Sequence, residues 1–122
     1  MTSNPVPGMQ LLIDFWGASN LENTAHIESA LQQAALACGT TVLVTHLHSF
    51  VKNAGVTGIA ILANSHISLQ TFPEIACMAL DISLCGTGDP HRAVSVLHEF
   101  FKPRQMKVTE SARFKVMPPV GF

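Results

Sequence analysis

Two histidines are the first candidates for chemistry in the 122-residue sequence. His46 and His48 lie two positions apart in a segment rich in β-branched residues, so their side chains share one face of a predicted strand. Two imidazoles at that spacing can bind a metal ion. A third ligand is not evident nearby, and one of the two can equally pack beside Phe50. We therefore predict no metal site here.

Cys85 is the next candidate, at the end of a predicted strand and directly before Gly86-Thr87-Gly88. A thiol in such a place can act as a nucleophile or as a proton donor. A free cysteine is also often a small buried apolar residue, so both interpretations stay open from this residue alone. The two glycines do not make a phosphate-binding loop or a dinucleotide fingerprint, which need longer glycine patterns.

Alternating and helical patterns predict the elements that position these residues. Ser19 and Glu22 form a capping box that predicts the start of a first helix, and Gly39 predicts its end. Asp89 and Pro90 predict the start of a second helix. The segments predicted as strands are 9–16, 40–48, 56–63, 66–72, 77–84 and 105–114.

The order β-α-β-β-β-β-α-β predicts one domain over residues 1–122 with an α/β (α+β) fold. We expect a two-layer sandwich, in which a mostly antiparallel sheet carries both helices on one face. The other sheet face would stay uncovered. Only 12% of the residues are charged, against about 25% in an average protein. This deficit favours a homodimer in which two sheets meet in an αββα arrangement.

Charge and composition exclude several classes of protein. A hydrophobic share of 48% excludes a disordered chain, and a formal net charge of −1 disfavours a nucleic-acid binder. Residues 1–91 hold one basic and six acidic side chains, whereas residues 92–122 hold six basic and two acidic ones. The uncharged run from 53 to 73 is too polar to span a membrane. Three cysteines without a CxxC spacing, and no visible signal peptide, predict a cytoplasmic protein.

The segment from Gly55 to Gly86 carries the most specific pattern. A strand, a polar break containing Ser65 and a second strand ending in Phe72-Pro73-Glu74 precede Leu84-Cys85-Gly86. Together with His48-x-Phe50 and Asp81, the order and spacing resemble the S-adenosylmethionine decarboxylases, in their small bacterial and archaeal form. The resemblance runs along nearly the whole chain and agrees with the predicted fold.

The resemblance implies a homodimer and a cofactor made from the chain itself. In this family a serine hydroxyl attacks the preceding carbonyl carbon, the chain is cut, and the serine becomes a pyruvoyl group. The matching cut lies between Asn64 and Ser65, and it would give a β chain of residues 1–64 and an α chain of residues 65–122. Decarboxylation needs an electron sink, which the pyruvoyl ketone supplies through a Schiff base with the substrate amine.

The resemblance also implies roles for the other matching residues. Cys85 would protonate the decarboxylated substrate, Phe50 and Phe72 would stack on adenine, and Glu74 would bind the ribose hydroxyls or offset the positive charge of S-adenosylmethionine. Thr57 stands where the family has a serine that assists processing. The product would be the aminopropyl donor for spermidine, a polyamine.

This chain departs from the family pattern at several positions. Gln70 replaces the histidine that serves as acid–base group in processing, and glutamine cannot take up a proton near pH 7. Asn64 stands where glutamate is common, and Gln10 where histidine is common. Two alternatives therefore stand beside S-adenosylmethionine decarboxylation. One is a pyruvoyl-dependent decarboxylase of ornithine or arginine, and the other is an uncleaved, non-catalytic binding or regulatory subunit.

Overall fold

A computed structural model describes residues 8–63, 65–86 and 88–113. Its two helices are α1 (Thr24–Ala37) and α2 (His91–Phe101), and a short 3-10 helix spans Pro73–Ile75. Neither helix is long and apolar enough to cross a membrane. The strands are β1 (Gly8–Trp16), β2 (Val42–Ser49), β3 (Val56–Leu62), β4 (His66–Phe72), β5 (Cys77–Leu84) and β6 (Gln105–Arg113).

The six strands form one sheet in the order β2-β3-β4-β5-β1-β6, and every neighbouring pair is antiparallel. Side chains alternate between the two faces, as a half-buried sheet requires. On β5, for example, Met78, Leu80, Ile82 and Leu84 are buried. The predicted α+β sandwich, with its order of strands and helices, is confirmed.

The core lies between the sheet and the two helices. Ile27 and Leu31 of α1 and Leu97 and Phe101 of α2 are fully buried with the inward side chains of the sheet. A hydrogen bond between the His26 Nε2 atom and the Phe100 carbonyl oxygen, 2.6 Å long, joins the first turn of α1 to the end of α2. Because the terminal carbonyl groups of a helix lack intrahelical partners, this contact also helps to cap α2.

The start of α1 differs from the sequence prediction. The helix begins at Thr24 rather than after Ser19, and the side chain of Asn23 caps it by accepting a hydrogen bond from the His26 backbone N–H at 3.0 Å. The backbone N–H of Ser19 instead donates to the Phe101 carbonyl at 2.7 Å. Asn20 then takes up a left-handed φ of 62°, so the preceding loop continues for four more residues.

Smaller differences occur at other element ends. The helix α2 begins at His91, yet the Asp89 carboxylate still accepts a hydrogen bond from the His91 N–H at 3.0 Å, as a capping residue does. The strand β2 begins at Val42 rather than at residue 40 and reaches Ser49. Gly39, with a φ of 87°, ends α1 as predicted.

The sheet face that points away from the helices, called here the open face, is uncovered in this chain. It carries the even-numbered side chains of β1 and β4, the odd-numbered side chains of β3 and β5, and His46 and His48 of β2. Several of its large apolar side chains are exposed, among them Leu12 (44%), Ile59 (37%) and Ile61 (44%). Chains of this size rarely leave such a surface in water.

Candidate active site

Ser65 lies in the connection between β3 and β4. Its carbonyl accepts a hydrogen bond from the Leu62 N–H at 2.9 Å, which closes the turn. Its Oγ atom is buried and has no hydrogen-bond partner among the described residues. Leaving a buried hydroxyl without a partner costs about 1–3 kcal/mol, so a folded protein rarely does it without a reason. Asn64, the residue on the other side of the proposed cut, lies outside the described residues.

Cys85 lies at the same end of the sheet as Ser65. The ladder between β4 and β5 pairs His66 with Ser83, so one further step in that register brings Ser65 beside Leu84, the neighbour of Cys85. The Cys85 side chain is exposed, and a Cβ atom at Gly8 would come within 3.3 Å of its Sγ atom. Ser65 and Cys85 define what is called here the serine end of the sheet.

The thiol of Cys38, at the C-terminal end of α1, has a different environment. It is buried, and this burial raises the pKa of the Cys38 thiol above its ordinary value. A buried thiol with a raised pKa is mostly protonated and unreactive at neutral pH. Cys85 is the cysteine whose exposure suits proton delivery to a bound molecule.

Thr57 and Gln70 lie far from Ser65, on the open face. They are opposite each other in the ladder between β3 and β4, and His48 lies opposite Thr57 on the other side, in β2. Gln70 comes five residues after Ser65, which corresponds to about 16 Å along a strand. Thr57 and Gln70 line a shallow depression of about 460 Å³, together with Asp14 and Asp81.

Phe50, Phe72 and Glu74 lie beyond Thr57 and Gln70, at what is called here the aromatic end of the sheet. The Phe50 N–H donates to the Gly55 carbonyl at 2.8 Å, and its exposed ring meets the His48 ring edge-on, with 4.6 Å between centroids. Phe72 is the last residue of β4 and is half-buried. Glu74 is exposed in the 3-10 helix that follows. The candidate residues therefore form two groups, at opposite ends of the sheet.

Thr71 is a positioning residue that the sequence pattern did not reveal. Its hydroxyl is buried, accepts a hydrogen bond from the Val56 N–H at 2.9 Å and donates one to the Leu21 carbonyl at 2.8 Å. These bonds fix β4 against β3 and the loop before α1. They therefore hold the backbone that carries Gln70 and Phe72.

A hydrogen-bonded chain across three strands is a second feature that the sequence did not reveal. The Gln10 Nε2 atom donates to both carboxylate oxygens of Asp81, at 3.0 and 3.1 Å, and the Gln10 Oε1 atom accepts from Arg113 Nη1 at 3.2 Å. Gln10 thus links the carboxylate to the guanidinium. Its partners follow from the pairing of β1 with β5 and β6, which are distant segments of the chain.

His46 and His48 share the open face of β2, as predicted. Within residues 8–63, 65–86 and 88–113, no group of three or more His, Cys, Asp or Glu side chains could hold a metal ion.

The profile of the family described as S-adenosylmethionine decarboxylase matches residues 9–114. The chain belongs to this family. Similar proteins include an S-adenosylmethionine decarboxylase proenzyme of Methanococcus aeolicus, 37% identical over 109 residues that cover 87% of this chain and 92% of that protein. Another proenzyme of the same name, from Thermomicrobium roseum, is 34% identical over 107 residues, with the same coverage of both chains.

A solved structure has a fold similar to that of this chain. The crystal structure of the adenosylmethionine decarboxylase from Aquifex aeolicus VF5 superposes with a TM-score of 0.78 and 25% sequence identity. The match covers 90% of this chain and 92% of the Aquifex chain. The resemblance inferred from the residues between Gly55 and Gly86 is confirmed.

Proposed function

We propose that this chain is a pyruvoyl-dependent decarboxylase of S-adenosylmethionine, a carboxy-lyase that makes the aminopropyl donor for spermidine. The observation that carries the proposal is the Ser65 hydroxyl, which is buried without a hydrogen-bond partner among the described residues. It lies at the same end of the sheet as the exposed Cys85 thiol. Maturation requires a nucleophile and decarboxylation requires a proton donor, and this end of the sheet carries both groups.

The Ser65 hydroxyl fits the role of precursor to a pyruvoyl group. Its oxygen attacks the carbonyl carbon of Asn64, the C–N bond between the two residues breaks, and the hydroxyl proton ends on the freed amine, which leaves an ester. A base then removes the Cα proton of residue 65, and the C–O bond breaks to release residues 1–64 as a carboxylate. Water hydrolyses the remaining enamine to the pyruvoyl group and ammonia. An oxygen that accepts and donates no competing hydrogen bond is ready for the first step.

The pyruvoyl group and the side chains of this chain have separate roles in the decarboxylation. The group, once formed, supplies the electron sink for loss of carbon dioxide. The Cys85 Sγ–H delivers a proton to the carbon that has lost its carboxylate. Phe50 and Phe72 bind the adenosyl part of the substrate through their rings, and the exposed Glu74 carboxylate offsets its positive charge or binds its ribose hydroxyls.

Two copies of the chain are needed to complete this site. Ser65 and Cys85 lie at one end of the sheet, while Gln70 lies about 16 Å away along β4 and the aromatic residues lie farther still. A two-fold axis that lies between two open faces and runs perpendicular to the strands would place the serine end of one copy against the aromatic end of its partner. The exposed apolar side chains of the open face, such as Ile59 and Ile61, support such a homodimer because contact between the sheets would bury them.

The proton transfers of maturation rely on an unusual set of groups. In the proposed homodimer, Thr57 and Gln70 of the partner copy can hold the ester-forming atoms by hydrogen bonds, but neither takes up a proton near neutral pH. His48, opposite Thr57 in the ladder between β2 and β3, brings an imidazole to the same row. The loss of a well-placed general base lowers a rate by about 10²–10⁴-fold. Each molecule matures once, so we expect a slow cleavage rather than none.

Intact-mass measurement under denaturing conditions tests the maturation. We expect the 13.1 kDa species to give way to a fragment of residues 1–64 and a fragment that begins with a blocked, pyruvoyl N-terminus at residue 65. Release of carbon dioxide from carboxyl-labelled S-adenosylmethionine, ornithine and arginine, measured side by side, then tests the substrate. A single uncut species after prolonged incubation would overturn the proposal.

Gln70 favours one alternative function, because it removes the titratable side chain that the family uses for processing. In that case the chain stays uncut and acts as a non-catalytic binding or regulatory subunit. The mass measurement separates the two functions.

We also propose a cytoplasmic location, which the free thiols of Cys38, Cys77 and Cys85 support because a reducing compartment preserves them.

A further inference from the structure

Arg113 reaches from the edge strand β6 over the serine end of the open face. The ladder between β1 and β6 pairs it with Gly8, and its Nη1 atom donates to the Gln10 Oε1 atom of β1 at 3.2 Å. The guanidinium therefore lies over β1 rather than beyond the edge of the sheet. The Gln10 Nε2 atom donates to the Asp81 carboxylate of β5 at 3.0 and 3.1 Å, so the amide that holds Arg113 is itself held.

Gly8 allows Arg113 and Cys85 to approach each other. A Cβ atom at Gly8 would lie 3.3 Å from the Cys85 Sγ atom and 3.6 Å from the Arg113 Cβ atom. The thiol and the stem of the arginine therefore converge on one point of β1, at a residue without a side chain. A larger residue at this position would stand between them.

Four neighbouring strands present their groups in a fixed order at this end of the sheet. Ser65 directly precedes β4, Cys85 directly follows β5, Gly8 begins β1 and Arg113 ends β6. Neighbouring strands lie about 4.8 Å apart, so a guanidinium over β1 is about 4.8 Å to the side of β5 and about 9.6 Å to the side of β4. An amino acid whose amine meets residue 65 has its α-carbon near Cys85 and can direct its carboxylate towards β1.

A guanidinium suits a carboxylate, because its fork of N–H groups can donate two parallel hydrogen bonds. In the part of the chain that the structure describes, lysine and arginine side chains occur on the open face only at positions 107 and 113. Lys107 lies opposite Asp14, and six residues along a strand separate it from Arg113 by about 20 Å. Within those described residues, Arg113 is thus the permanent cation of the serine end.

We propose that Arg113 binds the α-carboxylate of the substrate and that Gln10 is the positioning residue that holds its guanidinium. This assignment rests on the proposed function and makes Arg113 a specificity-determining residue. When the carboxylate leaves as carbon dioxide, its bonding electron pair stays with the substrate, and the Cys85 Sγ–H beside it supplies the proton. The product keeps the adenosyl group and the sulfonium but has no carboxylate. It therefore loses the contact with Arg113 and is bound more weakly than the substrate.

Calorimetric titration with S-adenosylmethionine and with its methyl ester tests this contact, because esterification removes the negative charge and keeps the rest of the molecule. The full-length cleaved protein is first treated with borohydride, which reduces the ketone of residue 65 to an alcohol and so prevents turnover. A chain that stays uncut is titrated without this step. We expect Arg113→Gln to weaken the binding of S-adenosylmethionine by roughly 10- to 100-fold and to leave the affinity for the ester unchanged.

Three further variants separate a carboxylate contact from a structural effect. Lys107→Gln is the matched control, since it removes a positive charge from the same face of the same strand, and it should alter neither affinity. Gln10→Ala removes the anchor and keeps the arginine, so we expect part of the loss, again for the acid alone. Arg113→Lys keeps the charge without the fork and should give an intermediate loss, which tests the contact even if Arg113→Gln does not fold. Equal weakening of both ligands, or of neither, in the Arg113 variants would overturn the assignment.

Failure of the carboxylate contact and failure of the proposed function give different results. Binding that depends on Arg113 for the acid alone, without release of carbon dioxide from S-adenosylmethionine, would support the contact and overturn the decarboxylase. Release of carbon dioxide by the parent protein, with the same ratio of acid to ester affinity in Arg113→Gln as in the parent, would support the decarboxylase and overturn the contact.

Discussion

Thr57 on β3 lies directly opposite Gln70 on β4, and both side chains face away from the helices. A hydroxyl and a carboxamide at this place can bind and orient a reacting group, but they cannot exchange a proton with it near neutral pH. The row that contains them continues through His48 on β2. The proposed maturation is therefore limited by proton transfer rather than by the position of the serine.

Gln70→His is expected to speed self-cleavage. The new imidazole would lie opposite Thr57 and could accept and return a proton, so the rate should rise by about 10²-fold or more. The rate is measured as the loss of the uncut 13.1 kDa species by intact mass. Ser68→His is the matched control, because it adds a histidine to the same face of the same strand, opposite Ile59 rather than Thr57. An unchanged rate in Gln70→His would show that this position is not where the base is lacking.

Much of the fold follows from local patterns. The strand Cys77–Leu84 has the predicted bounds because one face of an antiparallel sheet is buried and the other is not, which forces a period of two. The start of α1 does not follow from local patterns. The loop before it is held by the bond from Ser19 to the Phe101 carbonyl, and that partner is more than eighty residues away. The capping box of Ser19 and Glu22, three residues apart in sequence, gives no sign of such a contact.

In the candidate site, too, some residues follow from local sequence and others depend on distant contacts. Ser65 and Cys85 stand out because their side chains are reactive and their sequence context is distinctive. Gln10 and Asp81 carry ordinary side chains, and their hydrogen bonds depend on the register between β1 and β5, 71 residues apart. Trp16 and Phe72 likewise become neighbours in a row only through Cys77 of β5. Register is a property of the assembled sheet, so the sequence does not show which of these residues lie beside each other.

Thr71→Val is expected to destabilise the fold by about 1–3 kcal/mol. The change removes the hydroxyl that accepts from the Val56 N–H and donates to the Leu21 carbonyl, and it leaves both buried groups without that partner. The loss is measured as the change in free energy of unfolding in urea. Thr41→Val, an exposed change in the loop between α1 and β2, is the control and should alter that free energy by less than about 0.5 kcal/mol. Equal effects of the two variants would contradict the role assigned to Thr71.

Ile61→Lys is expected to separate the proposed homodimer into monomers. Ile61 lies on the open face and is 44% exposed in the single chain. Contact between two open faces would bury a lysine there without a partner, which costs several kcal/mol. Sedimentation velocity measures the change, and far-UV circular dichroism checks that the fold is retained. Leu36→Lys, on the exposed side of α1, should leave the dimer intact, whereas a parent protein that sediments as a monomer would refute the arrangement.

Cys85→Ala is expected to leave self-cleavage possible and to impair turnover. The thiol takes no part in the attack of Ser65 on the Asn64 carbonyl, but the proposed reaction needs it to protonate the decarboxylated carbon. Without a positioned proton donor, kcat should fall by about 10²–10⁴-fold, measured as product formed per cleaved chain so that incomplete maturation does not lower the value. Cys38→Ala is the matched control, since it removes a thiol that is buried and, because of that burial, has a raised pKa. It should preserve kcat per cleaved chain, although the lost buried atom lowers stability. Full activity in Cys85→Ala would show that the proton comes from another group at the serine end of the sheet.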